Sequence, residues 1–174
     1  MSLKEAVENS PGLLMNYTKI KNNLEAFKLD NSQIDNTYKT DKNLWIYGPS
    51  GIGKTYYATN NFGKVFKKNQ NKWWDGYCDE EVVLIDDLDQ AFMGTYLKIW
   101  ADNYSFIGEI KGGSKKISIK LLIVTSNKMP KAIWPDDTVL QMAICRRFRF
   151  VTIEGQRPNY KEVAIPNPIT GKFL

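Results

Sequence analysis

The stretch Gly48-Pro-Ser-Gly-Ile-Gly-Lys-Thr55 constrains this chain more than any other. Its pattern, G-x-x-x-x-G-K-T, requires a strand running in and a helix running out. The flanking residues comply: Asn43 to Tyr47 reads as a short apolar strand, and a helix is predicted from Lys54 to about Asn60. Gly48, Gly51 and Gly53 let the backbone curl so that its N–H groups face phosphate oxygens. Pro49, Ser50 and Ile52 complete the loop, and the following helix adds its positive end. Lys54 supplies a point charge for the β- and γ-phosphates of ATP, and Thr55 offers a hydroxyl to Mg²⁺. The bland alternative is a chance match in a glycine-containing turn. The strand before it and the helix after it argue against that.

The rest of the chain fits the same plan. Lys64 to Lys67 reads as a second strand. Glu81 to Ile85 and Lys120 to Thr125 are continuous apolar runs of strand length, the mark of strands buried on both faces. Phe148 to Ile153 alternates as a last strand. Between them, Gln90 to Tyr104 has helical spacing through Phe92, Tyr96, Ile99 and Trp100. Thr138 to Arg147 reads as a helix with Asp136 or Asp137 at its start. Strands interleaved with helices predict an α/β fold with a mostly parallel central sheet flanked by helices. Residues 1–42 are expected to hold a small helical segment, with Tyr17, Ile20, Leu24 and Phe27 on one face of 13–29, and then a linker. Residues 43–154 form the main domain. Residues 155–174, with Pro158, Pro166 and Pro168, are expected to be a loose tail.

Four further stretches carry chemistry. Asp86-Asp-Leu-Asp89 follows the Glu81 to Ile85 strand directly. A carboxylate there can reach a metal beside the phosphates, so Asp86 is the metal candidate. Asp87 is placed to orient or activate water, while Asp89 suits a helix cap or a solvated charge. Thr125-Ser-Asn127 also ends a buried strand, and the Asn127 amide is the candidate sensor of the γ-phosphate. Arg146-Arg-Phe-Arg149 holds three of the four arginines. A guanidinium there can stabilise charge on a transferring phosphoryl group, or simply complement a helix end. Arg147 is preferred to Arg146 because it immediately precedes Phe148; Arg149 alternates with strand residues and reads as structural or surface. Finally, Lys111-Gly-Gly113 reads as a hairpin turn that brings Lys111, Gly112, Lys115 and Lys116 toward a backbone phosphate, although an ordinary solvated basic hairpin has the same look.

Composition narrows the classes. The sequence of 174 residues has no histidine, which removes imidazole metal ligands and Ser-His or Cys-His nucleophiles. The net charge of +5 permits a polyanionic partner without demanding one. Cys78 and Cys145 lack metal-ligand spacing and are expected to be reduced thiols. No run is apolar enough to cross a bilayer and no secretory signal opens the chain, so the expected setting is intracellular, with no membrane partner.

Together these stretches resemble the superfamily 3 helicase domain of replication initiator (Rep) proteins of circular single-stranded DNA viruses and related plasmids. The resemblance runs through Gly48 to Thr55, Asn71-Lys-Trp-Trp-Asp-Gly-Tyr77, Glu81 to Asp87, Lys111 to Gly113 and Leu122 to Asn127, and covers residues 13–153. It implies an AAA+-like P-loop ATPase that forms a hexameric ring on single-stranded DNA and moves 3′ to 5′. In such a ring the Lys111 loop would be the DNA-contacting hairpin, the N-terminal segment an oligomerisation collar, and Arg147 or Arg146 the finger completing a neighbour's site. For a eukaryotic virus the place of action would be the host nucleus, and otherwise the cytoplasm. Family members usually add a nicking domain with paired histidines and a tyrosine nucleophile. With no histidine, the expectation is an excised helicase domain or a shortened relative. An RNA-directed motor, or a nucleotide-gated oligomer that holds DNA without unwinding it, are the alternatives.

Overall fold

The computed structural model describes residues 43–173, so the expected N-terminal helix and linker lie outside the described residues. In chain order the elements are β1 (Asn43–Tyr47), α1 (Lys54–Asn60), β2 (Val65–Lys67), β3 (Val82–Ile85), α2 (Met93–Trp100), β4 (Phe106–Ile110), β5 (Gly113–Ile117), β6 (Leu121–Ser126), α3 (Pro130–Ile133), α4 (Thr138–Arg147), β7 (Phe148–Gln156) and β8 (Asn159–Ile165). Six strands form one sheet in the order β2-β3-β6-β1-β7-β8, and β4 with β5 forms a separate hairpin. Strands β2, β3, β6, β1 and β7 run parallel to their neighbours. Within this sheet only β8 is antiparallel.

The apolar runs follow from this layering. A parallel strand covered on both faces needs an apolar residue at every position. Trp45, Val83, Ile85, Leu122, Val124, Phe148 and Phe150 face one side, where they meet Leu97 and Trp100 of α2 and Ile144 of α4. Leu44, Ile46, Leu84, Ile123, Val151 and Ile153 face the other, against Tyr57 and Ala58 of α1. The central β1 is therefore buried through Leu44, Trp45 and Ile46, all fully inaccessible. At its amino end the buried Asn43 replaces a strand partner. Its Nδ2 donates to the Ala101 carbonyl (2.6 Å) and its Oδ1 accepts from the Leu122 N–H (3.0 Å).

Several expectations shift. The second helix is shorter than Gln90 to Tyr104 and turns a different face inward. Met93, Gly94, Leu97 and Trp100 are buried, whereas Phe92 and Ile99 are exposed. Of the two roles expected for Asp89, the solvated charge fits its exposure, since the N-cap position of α2 falls on Phe92. Asp137, not Asp136, caps α4, accepting from the Leu140 N–H at 2.8 Å. The stretch from Gly155, expected as a loose tail, instead extends β7 and returns as β8. The turn between them is Arg157-Pro158. Beyond it Asn167 is buried and donates to the Cys145 carbonyl at 2.7 Å. Cys145 and Cys78 are both free thiols, and burial pushes the Cys145 thiol up to about 12. Among the described residues no helix is long and apolar enough to cross a membrane.

Gly94 marks the close approach of α2 to α4. A Cβ there would stand 2.4 Å from Leu140 Cδ2 and 2.9 Å from Trp134 Nε1. That indole is already fixed by its bond to the Ala91 carbonyl, at 2.6 Å. Gly94→Ala should destabilise the fold by about 1–3 kcal/mol, despite alanine's better helix propensity. The midpoint of urea unfolding measures it, and a midpoint at or above wild type would remove the close-packing argument.

Candidate nucleotide site

The site lies at the carboxyl ends of β1, β3 and β6, where the parallel register brings three loops together. Tyr47 pairs with Ser126 and Ile85 with Val124, so the loop after β1 adjoins Asn127 and the turn after β3. Gly51 and Gly53 have φ of +87° and +96°, the left-handed region that side chains disfavour. At Gly53 there is a second reason for glycine. A Cβ would fall 2.4 Å from Tyr160 Oη, because β8 lays that ring against the loop.

Lys54 is buried, and its Nζ donates to the carbonyls of Gly48 (2.7 Å) and Pro49 (2.8 Å) and to Asn127 Oδ1 (2.7 Å). Burial lowers its pKa, against the pull of Asp87 and Asp86. Thr55, the next residue, donates its hydroxyl to Asp86 Oδ1 at 2.7 Å. The Thr125 hydroxyl donates to the same oxygen at 2.7 Å, and Lys67 Nζ meets Asp86 Oδ2 at 2.8 Å. Burial alone would raise the Asp86 pKa. The hydrogen bonds from Lys67, Thr125 and Thr55 outweigh it and hold the carboxyl below the ordinary carboxylate value. Asp86 therefore stays charged at neutral pH.

Asp87 occupies a left-handed backbone conformation, φ +52°, uncommon for a residue with a side chain. Its N–H donates to Thr125 Oγ1 at 2.9 Å, and its carbonyl accepts from Gln70 Nε2 at 3.0 Å. This strained turn places Asp87 in a cleft that it shares with Leu88, Asp89, Asn127 and Lys128. The structure thus gathers Lys54, Thr55, Asp86, Asp87 and Asn127 into one cluster. Thr125, Lys67 and Gln70 belong to it as well, and sequence reasoning missed them. Thr125 had a signal, because it sits in the same strand end as Asn127. Lys67 and Gln70 had none, since only tertiary pairing of β2 with β3 brings them there.

Oxygen ligands suit Mg²⁺, which binds one or two protein groups and completes its shell with phosphate and water. Thr55 Oγ1 and Asp86 Oδ1 converge in the way that pattern requires. Among the described residues no group of three acidic or thiol side chains forms an all-protein metal cage.

The arginines lie elsewhere. Phe148 pairs with Asn43, so Arg146 and Arg147 sit at the amino end of the sheet. The loop sits at the other end, a β1 length of roughly 16 Å away. Arg147 turns into its own chain, donating to the Ala143 carbonyl (3.0 Å) and to Asp102 Oδ2 (3.4 Å). Arg146 is exposed beside Val139 and Met142, which are also exposed. Arg149 forms a two-pronged pair with Glu162 of β8, the structural role expected for it.

The basic hairpin is present, with Lys111 and Gly112 at its turn. Lys115 is not at the tip: its Nζ folds back onto the Tyr77 carbonyl at 2.9 Å and lies 3.5 Å from Asp79. Lys111 is exposed, and its N–H meets Asp75 Oδ1 at 3.2 Å. Lys116 lies on β5 opposite Ile107.

A mostly parallel sheet, a G-x-x-x-x-G-K-T loop at its carboxyl edge and an aspartate held against the loop threonine define a P-loop NTPase-like domain. Comparisons with known proteins narrow the class. A family model described as RNA helicase matches residues 44–128. The replication-associated protein of pigeon circovirus is 34% identical over 131 residues, covering 75% of this chain and 41% of that protein. That of beak and feather disease virus is 30% identical over 135 residues, covering 78% and 45%, and that of porcine circovirus 1 is 31% identical over 134, covering 75% and 42%. The chain carries a Rep-type superfamily 3 helicase domain. It spans less than half the length of these relatives.

Proposed function

We propose that this chain is an ATP- and Mg²⁺-dependent motor that translocates on single-stranded DNA during replication of a circular genome. The observation that carries the reading is the bonded cluster of Lys54, Thr55, Asp86 and Asn127 at one sheet edge. Lys54 holds the β- and γ-phosphates, Asn127 reads the γ-phosphate, and Asp87 orients the attacking water. Thr55 and Asp86 would hold Mg²⁺, which neutralises charge on the phosphate oxygens. Subunits act as a ring, a hexamer by resemblance to the family, moving 3′ to 5′, with an arginine supplied by the neighbour. The setting is intracellular: the host nucleus for a eukaryotic virus, otherwise the cytoplasm.

The testing experiment is the ATPase rate against protein concentration, with and without single-stranded DNA. A rate per chain that climbs with concentration and rises further with DNA supports a ring motor. A flat rate that ignores DNA leaves a P-loop ATPase without a motor role. The family description favours a second reading, an RNA-directed motor. Single-stranded DNA and RNA offered as competing activators separate the two.

Lys111 is the proposed DNA contact, with Gly112 and Lys116 beside it. Lys115 is proposed with less reach because its ammonium is held at Tyr77. Lys111→Ala should weaken single-stranded DNA binding and lower the slope of log K against log salt by about 0.7, one phosphate contact. Equilibrium binding at several salt concentrations measures it, and an unchanged slope would move the DNA site away from the hairpin.

A further inference from the structure

The Asn71 to Tyr77 stretch is the most distinctive in the sequence, yet the reading above gives it no task. In the fold it runs from the nucleotide edge of the sheet to the hairpin. It leaves β2 at the carboxyl edge, where the Lys68 N–H bonds the Leu84 carbonyl at 2.8 Å. Gln70 then donates its amide to two successive carbonyls, Asp86 (3.1 Å) and Asp87 (3.0 Å). These are the backbone groups of the strained acidic turn itself.

The far end is fixed to β4. The Trp74 N–H donates to the Glu109 carbonyl at 2.8 Å, and Trp73 forms a parallel bridge with Glu109. Lys72 pairs with the Glu109 carboxylate at 2.7 Å, and Asp75 accepts from the Lys111 N–H. The Trp74 indole fills the space where Gly108 has no side chain; a Cβ there would stand 2.7 Å from Trp74 Cδ1.

The middle is rigid. Lys68 is 2% exposed, and its Nζ lies 5.4 Å from the Trp74 ring centroid and 4.8 Å from that of Trp100. The same ammonium binds the carbonyls of Asn69 and Asn71. Burial lowers its pKa to about 8. Trp74 and Trp100 meet edge to face at 5.0 Å. Close-packed rings shift together rather than deform one by one.

We propose that residues 68–75 form a strut that couples the Asp86–Asp87 turn to the β4–β5 hairpin, with Gln70 as the positioning residue at its nucleotide end. The proposal rests on the motor reading above. Triphosphate and diphosphate load the acidic turn differently, and Gln70 reads the turn's backbone without touching its carboxylates. A displacement there is carried through Trp73, Trp74 and Asp75 to Lys111. Coupling of this kind is reciprocal, so DNA on the hairpin alters nucleotide affinity by the same factor.

The test compares single-stranded DNA affinity in the presence of ADP and of a non-hydrolysable ATP analogue. Wild type, Gln70→Leu and Asp75→Ala are measured as full chains with matched thermal melts. Gln70→Leu cuts one end of the strut. Asp75→Ala, at an exposed position, removes the strut's direct bond to the Lys111 N–H while the Glu109 contacts of Lys72, Trp73 and Trp74 remain, and should leave DNA-free ATPase turnover at the wild-type rate. In Gln70→Leu the ratio of the two DNA affinities should fall from its wild-type value to about one, the value for no coupling, and in Asp75→Ala it should fall part of the way. DNA stimulation of turnover should fall in step with it. Wild-type ratios in Asp75→Ala overturn the strut even if Gln70→Leu fails to fold. A wild-type protein that binds nucleotide but shows no nucleotide-dependent DNA affinity overturns the motor reading and the strut together. A coupled wild type with two variants coupled to the same degree overturns the strut alone.

Discussion

Lys54→Ala should lower ATP hydrolysis by at least about a hundredfold, the scale for removing a charge aimed at developing phosphoryl charge. The geometry makes this the largest loss of any single side chain. Lys54 is 5% exposed and its ammonium lies within 2.8 Å of two loop carbonyls and Asn127, so it already stands at the centre of the loop. Lys67 is engaged by Asp86 on the far side of the carboxylate. Alanine leaves the loop carbonyls facing the site without a cation, which repels phosphate oxygens as well as failing to attract them. Nucleotide binding should weaken alongside turnover. The measurement is steady-state phosphate release together with fluorescent-nucleotide titration. Turnover near wild type would remove the assignment of the loop.

Arg146→Ala should cut turnover of assembled protein by about a thousandfold, the low end for an arginine finger, while nucleotide still binds. The sequence alone preferred Arg147. We propose Arg146 instead, because Arg147 is committed to Ala143 and Asp102 in its own chain while Arg146 is exposed beside apolar Val139 and Met142. Neither can serve its own loop, which lies at the opposite end of β1. A mixture of Arg146→Ala with Lys54→Ala should therefore regain part of the lost activity, because one mixed interface holds an intact loop and an intact arginine. Recovery with Arg147→Ala and none with Arg146→Ala would make Arg147 the finger. No recovery with either would end the proposal that the arginine acts between subunits.

How much of this was legible beforehand depends on the range of the interactions. The strands that run through the core could be read because burial on both faces demands unbroken apolar runs, as in Val82–Ile85 and Leu121–Ser126. The loop, the acidic turn and the strand-end asparagine could be read because each follows such a strand. The inward face of α2 could not, because Phe92, Tyr96, Ile99 and Trp100 mimic one helical stripe while Met93, Leu97 and Trp100 form the real one. Nor could β8, whose partly exposed residues give little apolar signal and whose strand character comes from pairing with β7. Gln70 and Lys67 were invisible for the same reason. Each acts across a distance in sequence that only sheet pairing closes.

The two outer strands of the sheet bear on how copies can meet. On one side β2 has three residues, the last of them Lys67, and is preceded by the exposed Lys64. On the other, β8 runs antiparallel and presents Lys161 and Glu162. A very short strand on one side and charged residues on both discourage a second sheet from continuing the first. Backbone pairing between neighbours, which would weld them into one stiff ribbon, is thus disfavoured at both margins. Any copies that met at these margins would do so through side chains and not by continuing the sheet.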